Sequence, residues 1–168
     1  NFGVRELKMN NFGLRGTVPN DIWKLTDARA LAFTDNPVAV TFDGIEQATS
    51  LIVLKLSNCH LRTLDGLRNL PQTLLELHLA RNQFNGTIPD DIFALDQVRK
   101  IFLNNNHFGG TIPTNIGKMI GLAELELWNN RLTGVLPSEI GLLTNLYSLS
   151  VSQNELSGAI PAEIQSLA

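Results

Sequence analysis

The 168-residue chain contains a single cysteine, Cys59, so it cannot form an internal disulfide and does not rest on a cross-linked framework. Charge of one sign is also missing: 13 Lys and Arg stand against 16 Asp and Glu, a formal net charge of -3. Nucleic acid and anionic membranes call for a strongly basic face, so neither is an expected partner. No run approaches the roughly 20 apolar residues of a bilayer span, and no charged-then-apolar signal pattern opens the chain. Membrane contact by this segment is therefore not expected. Histidine is scarce as well. His60, His78 and His107 are the only imidazoles, and no two have the i, i+4 spacing of a helical metal site.

What is abundant is apolar residue, at 43% of the chain, too much for a disordered segment. Its distribution is periodic. Residues 103–119 read LNNNHFGGTIPTNIGKM, and closely similar strings occupy 9–25, 79–95, 127–143 and 151–167. Pro89, Pro113, Pro137 and Pro161 are spaced 24 residues apart. A fixed period of this length is the mark of a repeat architecture. Seven units of 23 or 24 residues cover the chain as 4–27, 28–50, 51–73, 74–97, 98–121, 122–145 and 146–168. They form one expected domain spanning 1–168. The leading Asn-Phe-Gly matches the tail of an earlier repeat, and the chain is expected to be a fragment of a larger protein or complex.

Each unit opens on a two-residue alternation such as Leu125 and Leu127 against Glu124, Glu126 and Trp128, the pattern of a half-buried strand. One short strand cannot bury its apolar side alone. The units are expected to stack, strand beside strand at about 4.8 Å, into a parallel sheet. Asn36, Asn82, Asn106, Asn130 and Asn154 recur at one position after the strand, where buried amides can pair with backbone groups that have lost strand partners. Cys59 takes that position in 51–73, and Phe12 takes it in 4–27. Glycines at 16, 86, 110, 134 and 158 allow a tight turn, and each following proline starts a short helical turn. Units 28–50 and 51–73 lack this Gly-x-x-Pro segment and are expected to have a simpler back face.

Taken together, GTVP at 16–19, GTIP at 86–89 and 110–113, GVLP at 134–137 and GAIP at 158–161 resemble the plant-type class of the leucine-rich repeat family. The resemblance implies an α/β solenoid: a right-handed superhelix with a parallel concave β-sheet and short helical turns on the convex side. It also implies non-enzymatic recognition of a protein or peptide, as in a receptor-like ectodomain or a polygalacturonase-inhibiting protein, outside the cell or at its surface. An intracellular scaffold or assembly subunit is the alternative. The paired-cysteine caps usual in such ectodomains are absent, so exposed core is expected at the ends.

Catalysis finds little purchase. Cys59 beside His60 could form a nucleophile and base, but neighbours on a turn point apart, and Cys59 lies in register with the buried asparagines. Asp90 and Asp91 follow Pro89 at the start of a helical turn, where negative charge suits the local dipole. No nucleotide-binding or serine-hydrolase motif occurs. No catalytic residue, metal or cofactor is therefore expected.

The solvent face of the strands offers more. One column reads Lys8, Ala32, Lys55, His78, Phe102, Glu126, Ser150, and another Asn10, Thr34, Ser57, Ala80, Asn104, Trp128, Ser152. Phe102 and Trp128 on neighbouring strands are expected to be exposed and near each other. With His78, Arg99, Lys100, Asn104, Glu126 and Tyr147 they form the expected ligand face, whose aromatic and Arg content is that of interface hot spots. Glu76, Lys100 and Glu124 share a column and are expected to form a cross-strand ion-pair ladder. Elsewhere the face mixes signs, with Arg5, Lys8, Arg29, Lys55, Arg81 and Arg99 against Glu6, Asp35 and Glu126, which suits a protein partner. Asn85-Gly86-Thr87 is a sequon that would accept an N-glycan in a secreted chain. Thr17, Thr87 and Thr111 share a position, but Val135 and Ala159 interrupt any continuous hydroxyl array.

Overall fold

The computed structural model describes residues 3–167, so Asn1 and Phe2 of the expected repeat remnant, and Ala168 of the last unit, lie outside it. Seven three-residue strands, Glu6–Lys8, Ala30–Ala32, Val53–Lys55, Glu76–His78, Lys100–Phe102, Glu124–Glu126 and Ser148–Ser150, form one parallel sheet in chain order. Register is constant: Leu31, Leu54, Leu77, Ile101 and Leu125 face one another in turn and are all fully buried. A slip of one residue would turn that row to water. Phe12 aligns with the turn position as expected, because Glu6 pairs with Ala30.

The asparagine position works as a ladder. The Asn82 Oδ1 accepts from the backbone N–H groups of Cys59 and Leu61, both at 3.0 Å, while its Nδ2 donates to the carbonyls of Leu56 and Leu79. Asn106 and Asn130 repeat the scheme one and two coils later. Each amide thus ties its own turn to the coil before it. Cys59 substitutes in part: its Sγ donates to the Phe33 carbonyl at 3.2 Å, one coil back. Asn154 keeps the bonding scheme but is only half-buried, because it belongs to the last coil of the stack.

After each turn the chain enters a second layer. Asn85–Thr87, His107–Gly110, Arg131–Gly134 and Glu155–Leu156 pair in parallel as a four-stranded sheet, and Gly16–Thr17 pairs with Val38–Ala39. The Gly-x-x-Pro pattern predicts only a tight corner here, and the structure adds a sheet. Gly86, Gly110, Gly134 and Gly158 take φ between +70° and +79° in or beside these strands, the left-handed region that disfavours a side chain. Unit 51–73 contributes no strand to this second layer, which is broken there.

The return path is 3₁₀ rather than α. Pro19, Pro89, Pro113 and Pro137 sit one residue ahead of the five-residue turns Asn20–Lys24, Asp90–Ala94, Thr114–Lys118 and Ser138–Leu142, with ψ near 140°. In the two units without Gly-x-x-Pro the turns shrink to Ile45–Gln47 and Leu67–Asn69, led by left-handed Gly44 and Gly66. That is the simpler back face expected of them. Between the layers runs one apolar core, in which Phe84 and Phe108 stack across neighbouring coils at 5.8 Å. Burial thins in the first and last coils: Leu7 and Leu149 are only partly covered, and Phe12 and Ile160 are exposed.

Candidate functional site

The constant register sets the side chains of the sheet's open face in straight rows. In one row Glu76, Lys100 and Glu124 stand side by side, and the Lys100 Nζ lies 4.0 Å from Glu76 and 3.7 Å from Glu124. The expected ladder is present. Tyr147 closes it by donating its hydroxyl to the Glu124 Oε2 at 3.0 Å. Tyr147, Glu76 and Glu124 together hold the Lys100 ammonium above its usual range.

The adjoining row runs Lys55, His78, Phe102, Glu126, Ser150. His78 and Phe102 are directly opposed, and their rings stack at 4.3 Å and 15°. Loss of hydration pushes the imidazole pKa below its ordinary value, and Lys55 and Lys100 push the same way, against the opposing pull of Glu76. At neutral pH the ring is therefore neutral, and its Nε2 is 3.0 Å from the Glu76 Oε2, a hydrogen bond rather than an ion pair. Desolvation acts to raise the Glu76 pKa, but the His78 bond and the Lys100 and Lys55 charges outweigh it and leave the carboxyl below its usual value.

Two expectations for this face need correction. Phe102 and Trp128 are half-buried rather than freely exposed, and Phe102 spends one ring face on His78. Asn104, just past the strand, is only 8% exposed and so is not an open position of the face. Arg99 is exposed and lies across Gly121, filling the space a Cβ would need there. Tyr147 is the most open aromatic side chain of the face, at 69%. Glu126 accepts from the Ser148 hydroxyl at 3.2 Å. Neither Glu126 nor Lys55 has an ion-pair partner among the described residues. The strand-face column sets His78 beside Phe102, but the stacking of the two rings is not legible in it. Opposed positions 24 residues apart were its only available signal.

The other candidates do not gather. Cys59 is wholly buried, and desolvation, opposed by a hydrogen bond from the Asn36 backbone and aided by Asp35, pushes its thiol up to about 11. His60 is exposed just after a turn, and His107 is exposed at the start of a second-layer strand. Among the described residues no three His, Cys, Asp or Glu side chains are grouped to hold a metal, and no helix is long and apolar enough to cross a membrane. Asn85 is exposed on the edge strand of the second layer, beside a polar cleft of about 540 Å³ lined by Arg62, Asp65, Arg68 and Asp91.

Comparison with known proteins places this geometry. The chain superimposes on the ectodomain of the Arabidopsis receptor kinase HAESA, solved with an extended IDA peptide hormone, with a TM-score of 0.88 and 28% identity. That match covers 96% of this chain and 28% of the ectodomain. A TDR receptor matches with a TM-score of 0.76 and 26% identity, over 98% of this chain and 33% of its own. A leucine-rich repeat protein of Leptospira interrogans matches with a TM-score of 0.67 and 25% identity, over 90% of this chain and 44% of its own. The chain thus spans less than half the length of each of these structures. No curated protein sequence matches it. Residues 73–95, 97–119, 121–143 and 145–167, together more than half of the chain, each fit the Leucine Rich Repeat. The chain belongs to the leucine-rich repeat family.

Proposed function

We propose that this chain is a non-enzymatic recognition module that binds an extended protein or peptide segment across the open face of its seven-stranded sheet, in a receptor-like protein outside the cell. The observation that carries the reading is the cluster at the middle of that face: the His78–Phe102 stack, Trp128, the Lys100 ladder and Tyr147, held on strands of fixed register. Arg99 and Glu126 flank it. Peptide-bound receptor ectodomains of the same fold support the reading. A secreted location would also make Asn85 an acceptor for N-glycan, on an exposed strand away from the sheet face.

The test is selection of a displayed random-peptide library on the immobilised chain. The double variant Phe102→Ala with Trp128→Ala is expected to lose the selected peptides and to keep its urea unfolding curve nearly unchanged, since both side chains are already partly in water. Equal capture by the parent and the double variant would move the site elsewhere.

A further inference from the structure

The row Lys55, His78, Phe102, Glu126 has a polarity the rest of the face lacks. Glu76 and Glu124 share the single Lys100 ammonium in the adjoining row, and His78 is engaged with Glu76. Lys55 and Glu126 are left as opposite charges with no ion-pair partner among the described residues, one at each end of a stacked ring pair. Glu126 has Phe102 opposite it on the neighbouring strand and Trp128 two residues along its own. A carboxylate between two aromatic rings suits a guanidinium or ammonium group, which gains from the charge and from the ring faces together.

Three strand spacings separate Lys55 from Glu126, about 14 Å at about 4.8 Å each. An extended peptide rises about 3.4 Å per residue, so its residues i and i+4 lie on one side and about 14 Å apart. We infer that the face reads a peptide laid across the strands with a basic side chain over Glu126 and an acidic side chain four residues away over Lys55, the apolar residue between them resting on the His78–Phe102 stack. This rests on the sheet face being the binding surface and adds the charge pattern of the occupant.

The probe is N-acetyl-Arg-Ala-Leu-Ala-Glu-amide, followed by its effect on tryptophan emission. Trp128 is the responsive fluorophore because Trp23 is 1% exposed. The parent chain is expected to bind this peptide about two- to fivefold more tightly than analogues with Gln in place of Arg or of Glu, the upper part of the range for exposed charge pairs. Glu126→Gln should erase only the advantage of the Arg, and Lys55→Gln only that of the Glu. Glu126→Lys should reverse the preference toward a peptide with acids at both ends, which a purely structural role for Glu126 would not produce. Equal affinity for the charged and Gln peptides, or no binding of any, overturns the inference. If library peptides are still lost from the Phe102 and Trp128 double variant, the binding face stands without this charge reading.

Discussion

Asn82→Ala would test the ladder at a buried rung in the middle of the stack. The substitution strands the N–H groups of Cys59 and Leu61, each held at 3.0 Å, and releases the carbonyls of Leu56, Leu79 and Ala80. Asn82 is 6% exposed, so water cannot readily take its place. An orphaned buried donor costs about 1–3 kcal/mol, and a carbonyl with a second lone pair costs less. Two donors then set a loss of about 4 kcal/mol, a large share of the total for a domain of this size. Asn154 accepts from a single N–H, that of Leu132, and is half-exposed, so Asn154→Ala should cost about 1 kcal/mol, with water filling in. Urea unfolding by far-ultraviolet circular dichroism measures both. Because coils contact mainly their neighbours, the Asn82 variant should also show a broadened or two-step transition as the halves uncouple. Equal costs for the two substitutions, or a loss under about 1 kcal/mol at Asn82, would refute the argument that enclosure gives the amide its weight.

Cys59→Asn should stabilise the chain by about 1 kcal/mol in the same assay, since it returns a full amide to a rung now served by sulfur. The parent Cys59 should resist thiol reagents until the chain unfolds, and stability should fall as pH rises from about 9 toward about 11. In that window the unfolded thiol ionises while the folded one stays protonated, so the unfolded state binds fewer protons. His78 should titrate below its ordinary value by NMR, and Glu76→Gln should lower it further by removing the partner that favours the charged ring. Its contribution to stability is present above the unfolded pKa and is lost as pH falls through the folded one. In a secreted preparation Asn85 should carry a glycan that Thr87→Ala abolishes and Thr87→Ser retains, read by intact mass before and after N-glycosidase.

The elements legible in the sequence were those whose residues repeat because one physical requirement repeats. Leu125 and Leu127 mark a strand since the coils must bury one face, and the asparagines mark a turn since its backbone needs buried partners. The Glu76, Lys100 and Glu124 ladder followed from register alone. The second sheet was not legible. Asn85-Gly86-Thr87 has no alternation and no apolar side, and it pairs only because stacking has already brought His107 and its neighbours alongside. The asparagine triplet 104–106 was legible in one part of three. Asn106 is the rung, Asn105 takes φ of 56° just before it, and Asn104 is buried just past the strand. Three identical residues carry three backbone roles, and composition cannot separate them.

The division of labour between the layers explains why the sheet face can carry an arbitrary chemical message. Backbone pairing, the ladder and the buried leucines fix the position of every strand without using the side chains that point outward. A change at Phe102 or Glu126 alters what the face presents while leaving the core row Leu77, Ile101, Leu125 untouched. His78 is the exception. It is bonded to Glu76 and stacked on Phe102, so its loss would release both a carboxylate and a ring. Of the residues on this face, His78 is the one at which recognition and the local arrangement of side chains should fail together. His78→Ala should therefore weaken peptide capture more than Tyr147→Phe, even though Tyr147 is the more exposed side chain and His78 reaches water far less.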